Sequence, residues 1–227
     1  MNQKVIVIAS PHSRNDTLFQ NLLQKLSHIK CIRILDRSEL VSDHLTEIDP
    51  EWIFFPHWSW IIPQHIYDNY RCVIFHMTDV PYGRGGSPLQ NLIVRGHKET
   101  MLSAIKCEAE LDAGPVYCKV RLSLEGTAET ILRRASMLME AMIEDIVVNR
   151  LIPSPQCGEI VKFARRTQED GNIEALENIN QVYDYIRMLD AEGYPAAFVE
   201  TSHFQFDLTQ ASLVDDFLEA KVRIKKK

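Results

Sequence analysis

The first 75 residues alternate short strand-like runs with segments of helical periodicity, and no other feature constrains the fold as much. Residues 4–10 (KVIVIAS) form a β-branched run without polar alternation, as in a strand buried on both faces of a parallel sheet. Residues 31–35, 52–55 and 72–75 are again strand-like. Between the first two, Asn15 and Asp16 can cap a helix whose apolar stripe is Leu18, Phe19, Leu22, Leu23 and Leu26. Residues 38–45 read as a second helix, and Pro63 opens a third through Tyr70. Strand and helix in strict succession predict right-handed crossovers and an α/β fold with a doubly wound, mostly parallel sheet.

Beyond residue 99 the pattern changes. Residues 100–105 and 116–124 predict two strands around a loop at 107–115. A long amphipathic helix follows Thr127 with Ile131, Ala135, Leu138, Met142 and Ile146 on one face, and Pro153 and Pro155 mark its end. After the polar stretch 165–171 comes a helix over roughly 173–189. Alternating segments at 197–208 and 218–224 then predict a small strand-rich C-terminal subdomain. The expected division is 1–165 and 166–227. An apolar content of 45% excludes a disordered chain, and no run approaches the roughly 20 apolar residues of a membrane span. The five cysteines form no C-x-x-C pair, so free thiols in a reducing compartment are expected. The N-terminal apolar run is too short for a signal-peptide core, and a cytoplasmic protein without membrane contact is expected.

Four local features carry chemistry. Residues 76–88 (HMTDVPYGRGGSP) directly follow the fourth strand, and ligands of open α/β sheets bind at the carboxyl ends of strands. His76 and Asp79 fall there. Gly83, Gly85 and Gly86 permit close backbone approach, and Ser87 with Pro88 defines a helix start. A tight strand-to-helix connection explains glycines alone, but less readily a loop that also holds His76, Asp79 and Arg84. The second feature is residues 111–117 (LDAGPVY), where Asp112 precedes a break that a plain turn would also explain. The third is residues 54–63 (FFPHWSWIIP), where a planar ligand could stack on aromatics that could equally be core. The fourth joins residues 164–173 to 185–198. Its Arg165, Arg166 and Arg187 could hold a phosphate or be solvated charge. No H-x-x-x-H or H-E-x-x-H spacing marks a metal site, and the first strand lacks the dinucleotide fingerprint.

In order, an aromatic-rich strand, H-x-[ST]-x-x-P-x-G-R-G-x-x-P, D-x-G, R-R-x-x-E-D-G and I-R-x-L-x-x-x-G-Y-P-x-A-F resemble the formyltransferases that use 10-formyltetrahydrofolate. The resemblance covers about residues 52–198 and implies a Rossmann-like catalytic domain carrying Asn, His and Asp. The matching His is His76 and the matching Asp is Asp112. At the Asn position this chain has Ile74, and Thr78 replaces the usual Ser. Asn91, on the helix after the glycine loop, is a candidate third catalytic group. The resemblance further implies that 10-formyltetrahydrofolate lies against Phe55, Trp58, Trp60, Glu108 and Leu111. The acceptor would lie against Thr78, Asp79, Tyr82, Gly83, Arg84, Gly85, Gly86 and Arg187, with no metal. His76 would either stabilise the tetrahedral oxyanion or accept the amine proton, and Asp112 would orient it. Loss of the Asn removes one oxyanion donor, typically worth about 3 kcal/mol.

Within that family a tRNA enzyme carries a larger, basic C-terminal domain. Here about 60 residues follow Arg165 and the net charge is −6, which weighs against nucleic acid. The glycine loop resembles the sugar enzymes of pseudaminic-acid-type amino-sugar biosynthesis. The expected acceptor is therefore a nucleotide-linked 4-amino-4,6-dideoxy sugar, with UDP as nucleotide, in surface-glycan synthesis. The alternatives are methionyl-tRNA, a carrier-bound amino acid, or a catalytically impaired module that binds folate and sugar nucleotide. The resemblance also implies a homodimer through the C-terminal region.

Overall fold

The computed structural model describes residues 3–227. Its central sheet has the order β2-β1-β3-β4-β6-β7, built from β1 (Val5–Ala9), β2 (Lys30–Ile34), β3 (Trp52–Phe55), β4 (Cys72–His76), β6 (Glu99–Lys106) and β7 (Val116–Ser123). β1 pairs in parallel with β2 and β3, and β3 with β4. β6 runs antiparallel to β4, with Val73 opposite Lys106 and His76 opposite Ser103. The crossovers carry α1 (Asp16–Lys25), α2 (Ser42–Ile48) and α3 (Gln64–Tyr67). β5 (Tyr82–Gly85) pairs with β8 (Val161–Phe163); α4 (Pro88–Val94) and α5 (Ala128–Asn149) complete this stretch. Then follow α6 (Ile179–Arg187), β9 (Ala197–Glu200), β10 (Phe204–Val214) and β11 (Phe217–Lys226), the last three forming an antiparallel sheet in the order β11-β10-β9. The doubly wound, mostly parallel sheet and the strand-rich end are both present. No helix among the described residues is long and apolar enough to cross a membrane.

The buried faces follow the sequence pattern. Ile6, Val7 and Ile8 of β1 and all four residues of β3 are buried, as strands covered on both faces must be. The stripe on α5 buries Ile131, Ala135, Met142 and Ile146 together with Met139 and Ile143.

Local chemistry shortened several predicted elements. The third helix is a single turn. Residues 38–45 split into a tight turn over Arg37–Glu39, whose start is capped by the Asp36 side chain accepting the Ser38 N–H, and α2, which begins at Ser42. The helix predicted from 173 begins only at Ile179. Asn172 and Asn178 each accept a backbone N–H two residues on, which holds the preceding stretch in turns. The run 197–208 is two strands, reversed where Thr201 N–H bonds the Phe204 carbonyl.

The contacts group the chain into two compact units. One comprises residues up to Arg84, Met101–Leu122 and Arg133–Lys162; the other comprises Gly85–Thr100, Ser123–Leu132 and Phe163–Lys227.

Candidate active site

His76 is the last residue of β4 and is buried. Its Nε2 lies 2.8 Å from the Gly83 carbonyl, which also accepts the Thr78 hydroxyl at 3.3 Å. A carbonyl can only accept, so Nε2 carries the ring hydrogen. That leaves Nδ1 as the nitrogen able to gain or lose a proton, and it faces Asp112 Oδ1 at 3.5 Å.

Bringing Asp112 there needs a reversal of the chain. Because β6 is antiparallel to β4, the loop that follows it starts at the wrong end: Cys107 N–H donates to the Cys72 carbonyl at the beginning of β4. His76 lies four residues further along, about 13 Å at strand rise. The loop must return along the strand. Asp112 helps by adopting a left-handed backbone (φ 55°), and Gly114 packs its α-carbon onto Lys106, where a Cβ would stand 1.9 Å from the carbonyl oxygen. Cys107 is buried beneath; burial first, then the charges of Asp112 and Glu108, push its thiol up to about 11.

The remaining predicted residues fall into distinct groups. Asp79 is exposed but ion-paired with Lys119 at 2.5 Å, and Lys119 also donates to the Val80 carbonyl. Thr78 is fully buried and serves the Gly83 carbonyl, so it is not a surface that substrate touches. Tyr82 is half-buried and closes a turn on the Asp79 carbonyl. Arg84, expected to hold substrate, is only 8% exposed, and its Nε and Nη2 fork onto Gln156 Oε1 at 3.0 and 2.8 Å. Phe55, expected to stack on the folate, lies in the core at 1% exposure. Trp58 is partly buried, edge-on to Phe55 and to Trp60. Its indole nitrogen is buried with no hydrogen-bond partner among the described residues. Trp60 and Leu111 are exposed, and Glu108 pairs with Lys106.

In the second unit three expectations are corrected. Gly85 and Gly86 approach the chain's own backbone. A Cβ on them would stand 2.6 Å from the Phe163 carbonyl and 2.5 Å from the Arg165 α-carbon. Asn91 is no free oxyanion donor, because its amide nitrogen donates to the Gly86 and Ala164 carbonyls and its Oδ1 accepts from Arg95. Arg187 is 4% exposed, and its Nε and Nη1 donate to Asp184 and to the Leu124 and Gly126 carbonyls, so it braces the chain's own backbone rather than presenting a fork to a phosphate. Ile74 packs with Val80, Ile105 and Val116, an apolar surrounding that supplies no hydrogen bond in place of the missing Asn.

Gln156 escaped the sequence reading. Pro153 and Pro155 around it were legible only as the end of a helix, and side-chain amides carry no spacing signature.

Among solved structures, a methionyl-tRNA formyltransferase from Clostridium thermocellum is 42% identical, covers 99% of this chain and 100% of its own, and superposes with a TM-score of 0.96. The chain belongs to the formyltransferase family. Residues 168–225 match the family model described as the methionyl-tRNA formyltransferase C-terminal domain. Methionyl-tRNA formyltransferases of Rickettsia bellii and Thermodesulfovibrio yellowstonii are each 25% identical, over 79% and 82% of this chain and 61% and 65% of their own length. The chain thus spans less than two thirds of these curated relatives. A sugar N-formyltransferase from Shewanella shares the fold (TM-score 0.69, 88% of this chain, 94% of its own) at 16% identity. These matches overturn the nucleotide-sugar acceptor and the exclusion of nucleic acid. The sugar enzymes are alike in fold alone, whereas the 42% identical relative and the C-terminal match are both methionyl-tRNA formyltransferases. The net charge misled because it averages the whole surface: residues 217–227 hold five cations against one acid.

Proposed function

We propose that this chain moves a formyl group from 10-formyltetrahydrofolate to the α-amine of an aminoacyl-tRNA, methionyl-tRNA first among them. The observation that carries the chemistry is the His76–Asp112 pair, held buried at 3.5 Å by a loop that doubles back to make it. The exposed Trp60 and Leu111 and the unpartnered indole N–H of Trp58 suit a flat, partly polar ligand such as a pterin or an aminobenzoyl group. Bound 10-formyltetrahydrofolate supplies the one-carbon unit, its bond to N10 breaking as the acceptor nitrogen gains the formyl carbon.

With Nε2–H held on Gly83, His76 accepts the proton released by the attacking amine at Nδ1, directly or through one water. Asp112 then stabilises the imidazolium so formed. The same Nδ1 proton can pass to the departing nitrogen, which leaves His76 as it began. The acceptor assignment rests on the relatives and on the C-terminal match. It is also consistent with Lys221, Arg223 and Lys225, which alternate along β11 and so share one exposed face where phosphates could dock.

The test is to incubate the purified chain with 10-formyltetrahydrofolate and charged methionyl-tRNA and to detect formylmethionine after deacylation. Transfer that disappears in His76→Gln is the expected result. Folate binding without transfer to any aminoacyl-tRNA would mark a binding module and sink the proposal.

A further inference from the structure

Gln156 lies 44 residues after Asp112 and 72 after Arg84, yet it joins them. Its Nε2 donates to the Asp112 carbonyl at 2.7 Å and to the Gly114 carbonyl at 2.8 Å. Its Oε1 accepts both Arg84 bonds. Two carbonyls can be met only by the NH2 group and a guanidinium only by the oxygen, so the amide has a single orientation and its four hydrogen-bonding positions are filled. The backbone beneath is fixed as well. Ser154 and Val116 exchange two hydrogen bonds, at 2.8 and 2.9 Å, between two prolines. Arg84 is covalently next to Gly83, whose carbonyl holds His76 Nε2, and Asp112 faces His76 Nδ1. The contacts therefore form a closed circuit: His76, Gly83 and Arg84, Gln156, Asp112, and back to His76.

We propose that Gln156 is the positioning residue of the formyl-transfer site. It ties the returning Asp112 loop to the arginine beside Gly83, and so sets both partners of the imidazole at once. It does not touch the reacting atoms. A second, longer contact runs from the same arginine to the same loop, Arg84 Nη1 to the exposed Glu110 carboxylate at 3.8 Å. The role in turnover rests on the formyl-transfer reading; the role in holding the imidazole does not.

Two variants separate the ends of the link. Gln156→Met removes both. Gln156→Glu keeps an acceptor for Arg84 but puts a carboxylate oxygen against the Asp112 and Gly114 carbonyls, which repels the loop. The first measurement is made on the free protein: long-range 1H–15N spectra of histidine-labelled chain, with the His76 ring assigned through His76→Gln. The second is kcat and KM for formyl transfer, with the pH profile of kcat. In both variants the His76 ring resonances should move and kcat should fall on the order of 10- to 100-fold, with KM little changed and the pH profile displaced. Should the Met variant fail to fold, the Glu variant carries the measurement, because it retains the link to the buried arginine. Ring resonances identical to the parent in a folded variant overturn the proposal, whatever the activity. Moved resonances with unchanged kcat overturn the catalytic role. A parent chain with no transferase activity sinks the reaction instead, and moved resonances then still support Gln156 as the group that positions the imidazole.

Discussion

At His76 the two ring nitrogens face different groups, Nε2 the Gly83 carbonyl and Nδ1 the Asp112 carboxylate. The imidazole is thereby oriented in the free protein, and in the proposed reaction proton transfer would fall to Nδ1. Replacing His76 by Gln, or Asp112 by Asn, should lower kcat by about 10³-fold while the far-UV circular dichroism stays that of the parent. A rate within threefold of the parent would remove either group from the mechanism. Arg187 is the opposite case. It is buried and holds a carboxylate and two carbonyls, so Arg187→Ala leaves three groups unmatched. The variant should lose about 3 kcal/mol in urea denaturation without a specific rise in KM. An unshifted urea midpoint with a raised acceptor KM would restore the arginine to the substrate.

Among elements, the returning loop between β6 and β7 is the most demanding, and its glycine shows why. At Gly114 an added Cβ has no room, since the Lys106 carbonyl cannot give way without disturbing its own peptide unit, whose Cys107 N–H donates to the Cys72 carbonyl. At Gly96, by contrast, an added Cβ meets nothing, and only the left-handed backbone (φ 79°) opposes it. Gly96→Ala should therefore cost about 1 kcal/mol and spare activity, whereas Gly114→Ala should lower both stability and kcat. Equal effects in a paired thermal and kinetic comparison would show that the loop's closeness to β6 is unimportant. Two thiols flank this loop in sequence, Cys107 at its first residue and Cys118 in β7. Cys107 and Cys118 are each raised to about 11 from 9.0, chiefly by burial. At pH 8 both folded and unfolded chains keep these thiols mostly protonated. Between 9 and 11 the unfolded chain ionises first, so stability should fall across that window. The urea midpoint should drop from pH 8 to pH 10.5, and less steeply in Cys107→Ala; parallel slopes for parent and variant would refute the assignment.

For the whole molecule, charge is the property that average figures conceal. A net −6 suits a small neutral or cationic partner, yet the C-terminal strand places Lys221, Arg223 and Lys225 on one face. Lys225 is ion-paired with Asp207. If that face meets tRNA phosphates, binding should weaken steeply with salt. Lys221→Gln with Arg223→Gln should then reduce the slope of log K against log salt by about 1.8 in magnitude, near 0.9 per lost phosphate contact. A slope equal to the parent's in a filter-binding titration would place the nucleic acid elsewhere.

Periodicity and composition were enough for the parallel core, the long helix and the strand-rich end, because a strand or helix that must bury one face writes that need into consecutive residues such as Val5–Ala9 or Ile131–Ile146. That His76 and Asp112 would meet was also legible, through ordered motifs. The roles of Thr78, Arg84, Asn91 and Arg187 were not. Whether a polar side chain meets solvent, a ligand or the chain's own carbonyls depends on neighbours distant in sequence: Gln156 for Arg84, Ala164 for Asn91, Leu124 for Arg187. The antiparallel β6, and hence the loop's return to His76, likewise emerged only on folding, since the direction of a strand leaves no mark on its side-chain pattern.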